Sequence, residues 1–372
     1  MAGLSETPNA NRVHIGFFGL RNAGKSTLVN AFAGQDIAIV SDVPGTTTDP
    51  VSKAMEILPL GPCLLTDTAG LDDEGELGEM RVKKALGVLA TTDIAVWVAD
   101  GDSDDGDARR RFLEACRKHG VAVLDYRRGD DVENFRKKVA AVKIAEAPRP
   151  IVGDLVAAGD VVLLVCPQDG SAPKGRLILP QQQVIRELLD AGGAAQVCQP
   201  EMVAELGARG GIKFAITDSQ AFGAVDAALP KDVPLTSFSI LFARAKGDLA
   251  AFSEGLAALK GLNDGDRVLV AEGCTHHRQC GDIGTVKLPK AVAKLTGRNL
   301  DFRFCSGGDF PIGVCKPKLI IHCGGCMLTR REMQRRIASA REAGVPMTNY
   351  GLVLAAANGI EADPATCMVR RR

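Results

Sequence analysis

The sequence predicts an α/β protein of three domains, the first a doubly wound parallel sheet and the other two smaller parallel-sheet domains. Three observations predict it. Apolar runs of strand length alternate with helical stretches along most of the 372 residues, a pattern that folds as a sheet covered by helices. A glycine-rich stretch separates the first such run from the first helix. At roughly 100–200 residues per domain, the length gives two or three domains.

In chain order, Val13–Gly19 is a buried-strand run, followed by the helix Ser26–Phe32. Pro59–Thr66 and Asp93–Ala99 are further strands, and the helix Arg109–His119 leads to the strand Val121–Leu124. A helix over 132–142 closes this domain, and Ala147–Pro150 is a proline-bearing linker. The expected boundaries are 1–147, 148–262 and 263–372. In the second domain the strands are Val161–Cys166, Ala195–Cys198 and Lys213–Thr217, with helices at Pro180–Ala191 and Ser219–Leu229. Pro180 suits a first helical turn. The apolar stretch Leu235–Ala243 reads as a long core strand and as an association edge. In the third domain Arg267–Ala271, Asp301–Cys305 and Lys318–His322 read as strands. Thr329–Ala343 reads as a helix with Thr329 and Glu332 forming a capping box.

Composition narrows the class. Lys+Arg and Asp+Glu balance at 45 each, so the formal net charge is +0. No overall basic field draws the chain to nucleic acid or to an acidic membrane. No apolar run reaches the ~18–20 residues of a membrane span, and Met1–Arg12 lacks the apolar core of a signal peptide; a cytoplasmic protein is expected. Of the 11 cysteines, four precede residue 261 and seven follow it. In a reducing compartment that crowding points to metal or redox chemistry rather than a disulfide framework. Cys63, Cys116, Cys166, Cys198, Cys305, Cys315 and Cys367 read as small core residues.

Gly19-Leu-Arg-Asn-Ala-Gly24-Lys25-Ser26 fits G-x-x-x-x-G-K-[ST]. Its backbone N–H groups surround a β-phosphate at a helix N-terminus. Lys25 reaches the β/γ oxygens and Ser26 joins the Mg²⁺ shell. The nucleotide contacts expected here are Gly19, Asn22, Ala23, Gly24, Lys25, Ser26 and Thr27. Downstream, Asp67-Thr-Ala-Gly70 ends a strand, so Asp67 can hold Mg²⁺ through water and the Gly70 amide can meet a γ-phosphate. Between them lies Pro44-Gly45-Thr46-Thr47-Thr48-Asp49, in which Thr47 best completes the Mg²⁺ shell.

These elements resemble the TrmE–Era class of GTPases, with Asn22 and the threonine loop similar to its K⁺-activated members. The resemblance implies a P-loop GTPase-like domain, a K⁺ site at Asn22 and a water-orienting Glu79, since Leu71 stands where Ras-like enzymes carry glutamine. The base side departs from the pattern. No N-K-x-D follows Val121–Leu124; the chain reads Asp125-Tyr-Arg-Arg-Gly-Asp130. Asp130 is the residue left to meet a guanine edge, and GTP hydrolysis is expected to be weak where it occurs.

Cys274-Thr-His276-His277-Arg-Gln-Cys280 follows one predicted strand, and His322-Cys323-Gly-Gly-Cys326 follows another. In a parallel sheet both fall at strand carboxyl ends, where ligand sites occur, and Cys323 and Cys326 are expected to open a helix. Three cysteines and a histidine suit structural Zn²⁺ as well as an iron–sulfur cluster. Joined to the P-loop domain, this pattern resembles the FeFe-hydrogenase maturation GTPases of the HydF family over nearly the whole chain. Thr217–Phe222 and Leu235–Ala243 resemble that family's dimerisation domain, and Glu272–Cys280, Asp282–Thr285 and Pro346–Gly351 its cluster domain. The resemblance implies a 4Fe–4S cluster on Cys274, Cys323 and Cys326, with His276 or His322 among the candidates for the fourth iron. It further implies a homodimeric scaffold. Such a scaffold receives a diiron precursor from two radical-SAM maturases and passes it to the apo-hydrogenase, with the GTPase domain regulating partner exchange. The alternative is a zinc-stapled TrmE/Era-like GTPase acting in RNA modification or ribosome assembly. Basic clusters are few and aromatics are 4%, so no nucleic-acid partner is expected.

Overall fold

The computed structural model describes residues 7–34, 50–72, 75–100, 106–144, 149–168, 177–273, 282–308 and 310–370. The chain divides into two compact units, Met1–Ala147 and Pro148–Arg372.

The first unit is a five-stranded sheet. Its strands are β1 (Val13–Gly19), β2 (Val51–Ile57), β3 (Gly61–Asp67), β4 (Ile94–Ala99) and β5 (Ala122–Arg127), in spatial order β2-β3-β1-β4-β5. All neighbours are parallel except β2, which runs antiparallel to β3 at the edge. Alternation along β1 feeds two cores. Ile15 and Phe17 pack with Val29, Phe32 and Phe135 on one face; Phe18 packs with Leu89, Trp97 and Phe112 on the other. The helix Gly106–His119 buries Phe112 against Trp97, with ring centroids 4.9 Å apart. Strand β5 runs three residues further than its apolar core suggests. Asp125 therefore lies within the strand, paired with Arg109 at 2.9 Å, and the following loop shortens to 128–131.

The second unit holds two sheets. One contains β6 (Val161–Val165), β7 (Ala194–Cys198), β8 (Ile212–Thr217) and β9 (Leu235–Ser237). The other is wholly parallel, built from β10 (Arg267–Ala271), β11 (Asp301–Cys305), β12 (Leu319–His322) and β13 (Met347–Asn349) in order β11-β10-β12-β13. The chain then returns to the first of these sheets with β14 (Glu361–Ala362) and β15 (Val369–Arg370), giving the order β14-β15-β9-β8-β6-β7. β6 to β9 are parallel; β15 is antiparallel to β9. One apolar core joins both sheets, running from Leu163 and Ile216 through Leu241 and Phe242 to Leu269, Ile320 and Met333.

The stretch Leu235–Ala243 corrects the sequence expectation. It is not one long strand or an exposed edge. β9 is three residues long and lies inside its sheet, between β15 and β8. At Ser237 the chain turns into the helix Phe238–Lys246, and Ser237 Oγ accepts the Ile240 N–H at 3.2 Å. Phe238, Ile240, Leu241, Phe242 and Ala243 are all buried. A helix covered on every side needs no polar face, so no 3.6-residue period marks it.

Thr329 caps the helix Arg330–Glu342, its Oγ1 accepting the Glu332 N–H at 3.1 Å. The Glu332 carboxylate turns to Arg335 and Arg336. Cys63, Cys116, Cys305 and Cys367 are buried, while Cys166, Cys198 and Cys315 are half-buried. Among the described residues no helix is long and apolar enough to cross a membrane.

Ser237→Ala should lower the stability of the second unit by about 1 kcal/mol, the usual cost of losing a helix cap. Urea denaturation followed by far-UV circular dichroism would measure it.

Candidate functional site

Two sites emerge, one in each unit. In the first, β1 ends at Gly19 and the helix Lys25–Ala33 starts six residues later. Gly24 sits at the helix N-cap with φ +90°, and Asn22 adopts φ +62°. Lys25 is buried, and its Nζ donates to the Leu20 carbonyl at 2.6 Å, which lays the side chain back over the loop. Ser26 Oγ donates to Asp67 Oδ2 at 2.5 Å. The structure thus brings Ser26, at the helix start, to Asp67, at the end of β3. Burial raises the Asp67 carboxyl above its usual value, against the pull of Ser26 and of the Lys25 charge. Asp67 Oδ1 is buried without a hydrogen-bond partner. An orphan carboxylate oxygen beside a P-loop serine suits a Mg²⁺-bound water.

Beyond Asp67 the chain is fastened to the P-loop. Thr68 Oγ1 donates to Phe17 O at 2.7 Å, Leu71 N–H to Gly19 O at 3.1 Å, and Arg21 N–H to Asp72 Oδ1 at 2.5 Å. At Gly70 a Cβ would lie 2.8 Å from Arg21 N, so only glycine allows this approach. Thr27 and Glu79 are exposed, Glu79 on the helix Gly75–Val88. Ala23 is buried. Thr47 lies outside the described residues.

The base side is a short turn. Asp130 Oδ2 accepts the Arg127 N–H at 3.1 Å, and its carbonyl accepts from Tyr126 Oη at 3.0 Å. Arg128 was not apparent from sequence. Its Cδ lies 3.8 Å from where a Gly24 Cβ would be, and its guanidinium pairs with Asp100 at 3.2 Å. The R-R-G-D run after an apolar strand is the signal that could have located it.

The second site lies at the carboxyl ends of β10 and β12. Register pairs Ala271 with His322, and just beyond these paired residues Gly273 lies beside Cys323. Cys323 N–H donates to Ala271 O at 2.9 Å, and Gly273 N–H points at Cys323 Sγ at 3.1 Å. Gly325 N–H also approaches Cys323 Sγ, at 3.4 Å. Gly325 takes φ +69°, and a Cβ there would lie 2.4 Å from Met333 Cε. Cys323 and Cys326 sit in an irregular turn, and the helix starts only at Arg330; they do not open it as expected. Both residues are half-buried overall. Desolvation, helped by Cys326, pushes the Cys323 thiol up to about 12, and burial raises Cys326 as well. A thiolate there therefore needs a cation. Cys274, His276, His277 and Cys280 lie outside the described residues; among the described residues no group of three or more His, Cys, Asp or Glu forms a metal site.

His322 is fully buried, and both ring nitrogens are engaged. Nδ1 lies 2.8 Å from the Cys323 carbonyl and Nε2 3.0 Å from Arg336 Nη1. A guanidinium only donates, so Nε2 accepts and Nδ1 carries the proton. Burial and the Arg336 charge hold the ring neutral, pulling it down to about 4. Arg336, itself fully buried, also binds Glu332 at 3.0 Å and covers the Phe310 ring at 5.1 Å.

Sequence reasoning also missed Lys246, at the end of the helix Phe238–Lys246. Its Nζ donates to Leu328 O at 2.7 Å, Cys326 O at 3.0 Å and Gly325 O at 3.3 Å. Burial pulls this ammonium down to about 8, against the opposing influence of Cys326 and Cys323. A lone lysine closing an apolar run was its only sequence signal.

Comparison with known proteins places the chain. Residues 151–247 match the hydrogen maturase F dimerization domain, and residues 250–362 match the hydrogen maturase F tetramerization domain. The chain belongs to the hydrogen maturase F family. Residues 14–125 match a 50S ribosome-binding GTPase model, which with the Ser26–Asp67 geometry supports GTP and Mg²⁺ binding. Relatives of the GTPase part include the tRNA modification GTPase MnmE of Moorella thermoacetica, 35% identical over 34% of this chain and 27% of the relative. MnmE of Maricaulis maris is 40% identical over 37% of this chain and 36% of the relative. The chain thus spans only about a third, or less, of these relatives' length. Among solved structures, an Era variant from Aquifex aeolicus aligns over 79% of this chain and 92% of its own, at 13% identity and a TM-score of 0.28.

Lys25→Ala should abolish nucleotide binding and leave the fold of the second unit unchanged. Asp67→Asn should weaken Mg²⁺-dependent nucleotide binding roughly ten- to hundredfold, as losing a charged hydrogen-bond acceptor worth about 1.5–3 kcal/mol implies. Fluorescent-nucleotide titration with and without Mg²⁺ checks both.

Proposed function

We propose that the chain is a hydrogenase maturation scaffold that carries a 4Fe–4S cluster and delivers a diiron precursor to apo-hydrogenase. The observation that carries the reading is the cysteine turn, set beside Gly273 in a chain of the hydrogen maturase F family. Cys274 is the next residue after Gly273, whose N–H already donates to Cys323 Sγ at 3.1 Å. Backbone N–H groups aimed at sulfur are what a metal-bound thiolate uses. Two thiols that burial keeps protonated gain from a cation that takes the protons' place. The residues present therefore fit a cluster held by Cys274, Cys323 and Cys326.

When bound, such a cluster supplies one exchangeable iron, at which a bridging ligand of the diiron cargo can attach. The chain's own residues do the rest. Gly325 lets the turn close, Gly273 and Gly325 hold the Cys323 sulfur by hydrogen bonds, and Arg336 fixes the His322 ring. With both ring nitrogens of His322 engaged, His276 is the better of the two histidines for the fourth iron, since His322 would have to release Arg336 first.

In the first unit, Lys25, Ser26, Thr27 and the P-loop amides of Gly19, Asn22, Ala23 and Gly24 hold GTP, while Ser26, Thr47 and, through water, Asp67 surround Mg²⁺. Gly70 meets the γ-phosphate, Asn22 serves a K⁺ ion, Glu79 orients water and Asp130 faces the base. Slow hydrolysis there regulates exchange of partners, namely the radical-SAM maturases and the apo-hydrogenase, in the cytoplasm. The dimerization and tetramerization domains make the working form an oligomer.

Protein purified and reconstituted without oxygen should hold about four irons and four sulfides per chain, as a 4Fe–4S site requires. Cys323→Ala should lose them while the first unit still binds nucleotide. Stoichiometric zinc with no sulfide would instead establish a zinc-stapled GTPase and turn attention to RNA.

A further inference from the structure

The helix Phe238–Lys246 belongs to the segment matched as the dimerization domain, yet its last residue reaches into the cysteine turn of the segment matched as the tetramerization domain. An ammonium carries three N–H donors. All three of those on Lys246 go to backbone carbonyls of that one turn, at Gly325, Cys326 and Leu328. The residue is 6% exposed. Among the described residues no carboxylate pairs with it. Its remaining neighbour of note is the Phe242 ring, 5.3 Å from Nζ.

The helix end is also fixed from outside. Arg330 Nη1 donates to Ala245 O at 2.7 Å, and Gln334 Nε2 donates to Lys246 O at 3.0 Å and Gly247 O at 3.1 Å. Two turns earlier on the helix, Ser239 meets Gly324, its Cα 3.2 Å from where a Gly324 Cβ would be. The lysine thus reaches the turn from a rigid base.

Three carbonyls satisfy the hydrogen bonds of a buried ammonium but not its charge. A buried cation without an anion is unfavourable, and a neutral donor would serve the carbonyls alone as well. The charge has a use if an anion occupies the space beside the turn. Thiolates on an iron–sulfur cluster are such an anion.

We infer that Lys246 is a positioning residue for the iron–sulfur cluster, holding the Cys323–Cys326 turn in place and supplying the positive charge that offsets the cluster's negative charge. The inference rests on the scaffold reading above. Reduction adds an electron to the cluster, so a fixed positive charge beside it favours the reduced form and raises the reduction potential. Packing between the helix Phe238–Lys246 and the turn then tunes the cluster from within the dimerization segment.

The test compares wild type with Lys246→Met, Lys246→Gln and Lys246→Arg, each full length and reconstituted without oxygen. Iron and sulfide content, the EPR spectrum of the reduced cluster and an EPR-monitored redox titration are the readouts. The Met and Gln variants should titrate at a lower potential by at least a tenfold change in the redox equilibrium, which is about 59 mV for a one-electron couple. Lys246→Arg, which keeps the charge, should stay near wild type. Gln retains two donors for the carbonyls and so carries the test should Met not fold. Unchanged potential and EPR signal in both neutral variants would overturn the inference and leave the scaffold reading standing. So would an Arg variant shifted as far as Gln. Failure of both neutral variants to fold, by far-UV circular dichroism, would make Lys246 a support of the fold and also overturn it. A wild type with no iron or sulfide would overturn the scaffold reading itself, and this inference with it.

Discussion

The pairing of β10 with β12 is the constraint on which the geometry of the cysteine turn depends. Both strands are apolar and buried, and Val268 to Ala271 align with Leu319 to His322. A slip by one residue would turn every side chain to the opposite face. The register therefore sets which residues meet beyond the strand ends, where the Gly273 N–H reaches Cys323 Sγ. Around that point the structure spends its buried polar groups. Arg336 joins His322, Glu332 and the Gly307 carbonyl in a single network. Arg335 and Arg336 outweigh the burial of Glu332 and hold its carboxyl below the usual range. The network stiffens the strand end from which the cysteine turn departs.

The phosphate half and the base half of the first unit differ in how firmly they are built. On the phosphate side, three hydrogen bonds from the Asp67–Asp72 stretch and the contact at Gly70 hold the two loops as one piece. On the base side, β5 extends through Arg127 and leaves a four-residue turn closed by Asp130 on its own backbone. Arg128 bridges the halves by lying against Gly24. The phosphate side is thus fixed by backbone geometry, while the base side is a turn closed on itself.

Much of this was legible in the sequence, for a physical reason. A phosphate loop and a C-G-G-C turn are local devices whose glycines and ligands must be close in the chain. The strands β1, β3, β4, β6, β8, β10 and β12 were legible too, because a strand buried on both faces is a continuous apolar run. What stayed hidden was either buried all round or joined over long separations. Leu235–Ala243 lost its helical period through burial on every side. β2 has one largely exposed face and only Ile57 buried, so its apolar signal is thin. Lys246 binds carbonyls, which carry no side-chain signature, 79 to 82 residues away. His322 was readable as a strand-end histidine, but not the arginine that occupies its ring nitrogen.

The closing strand has a consequence for synthesis. β15 pairs with β9 at Val369 and Leu235, and Thr236 Oγ1 donates to the Cys367 carbonyl at 2.6 Å. The six-stranded sheet of the second unit therefore lacks two of its strands until residues beyond 360 have left the ribosome. The first unit, whose strands all fall before residue 128, can fold while the rest is being made, since domains fold as units in order of synthesis. The second unit is a late folder that waits for its own tail. Until then β9 presents an open strand edge, the feature most prone to wrong pairing. A truncation that spares every cysteine through Cys326 but removes β15 would thus strip the partner strand from β9, whose following helix carries Lys246 to the cysteine turn.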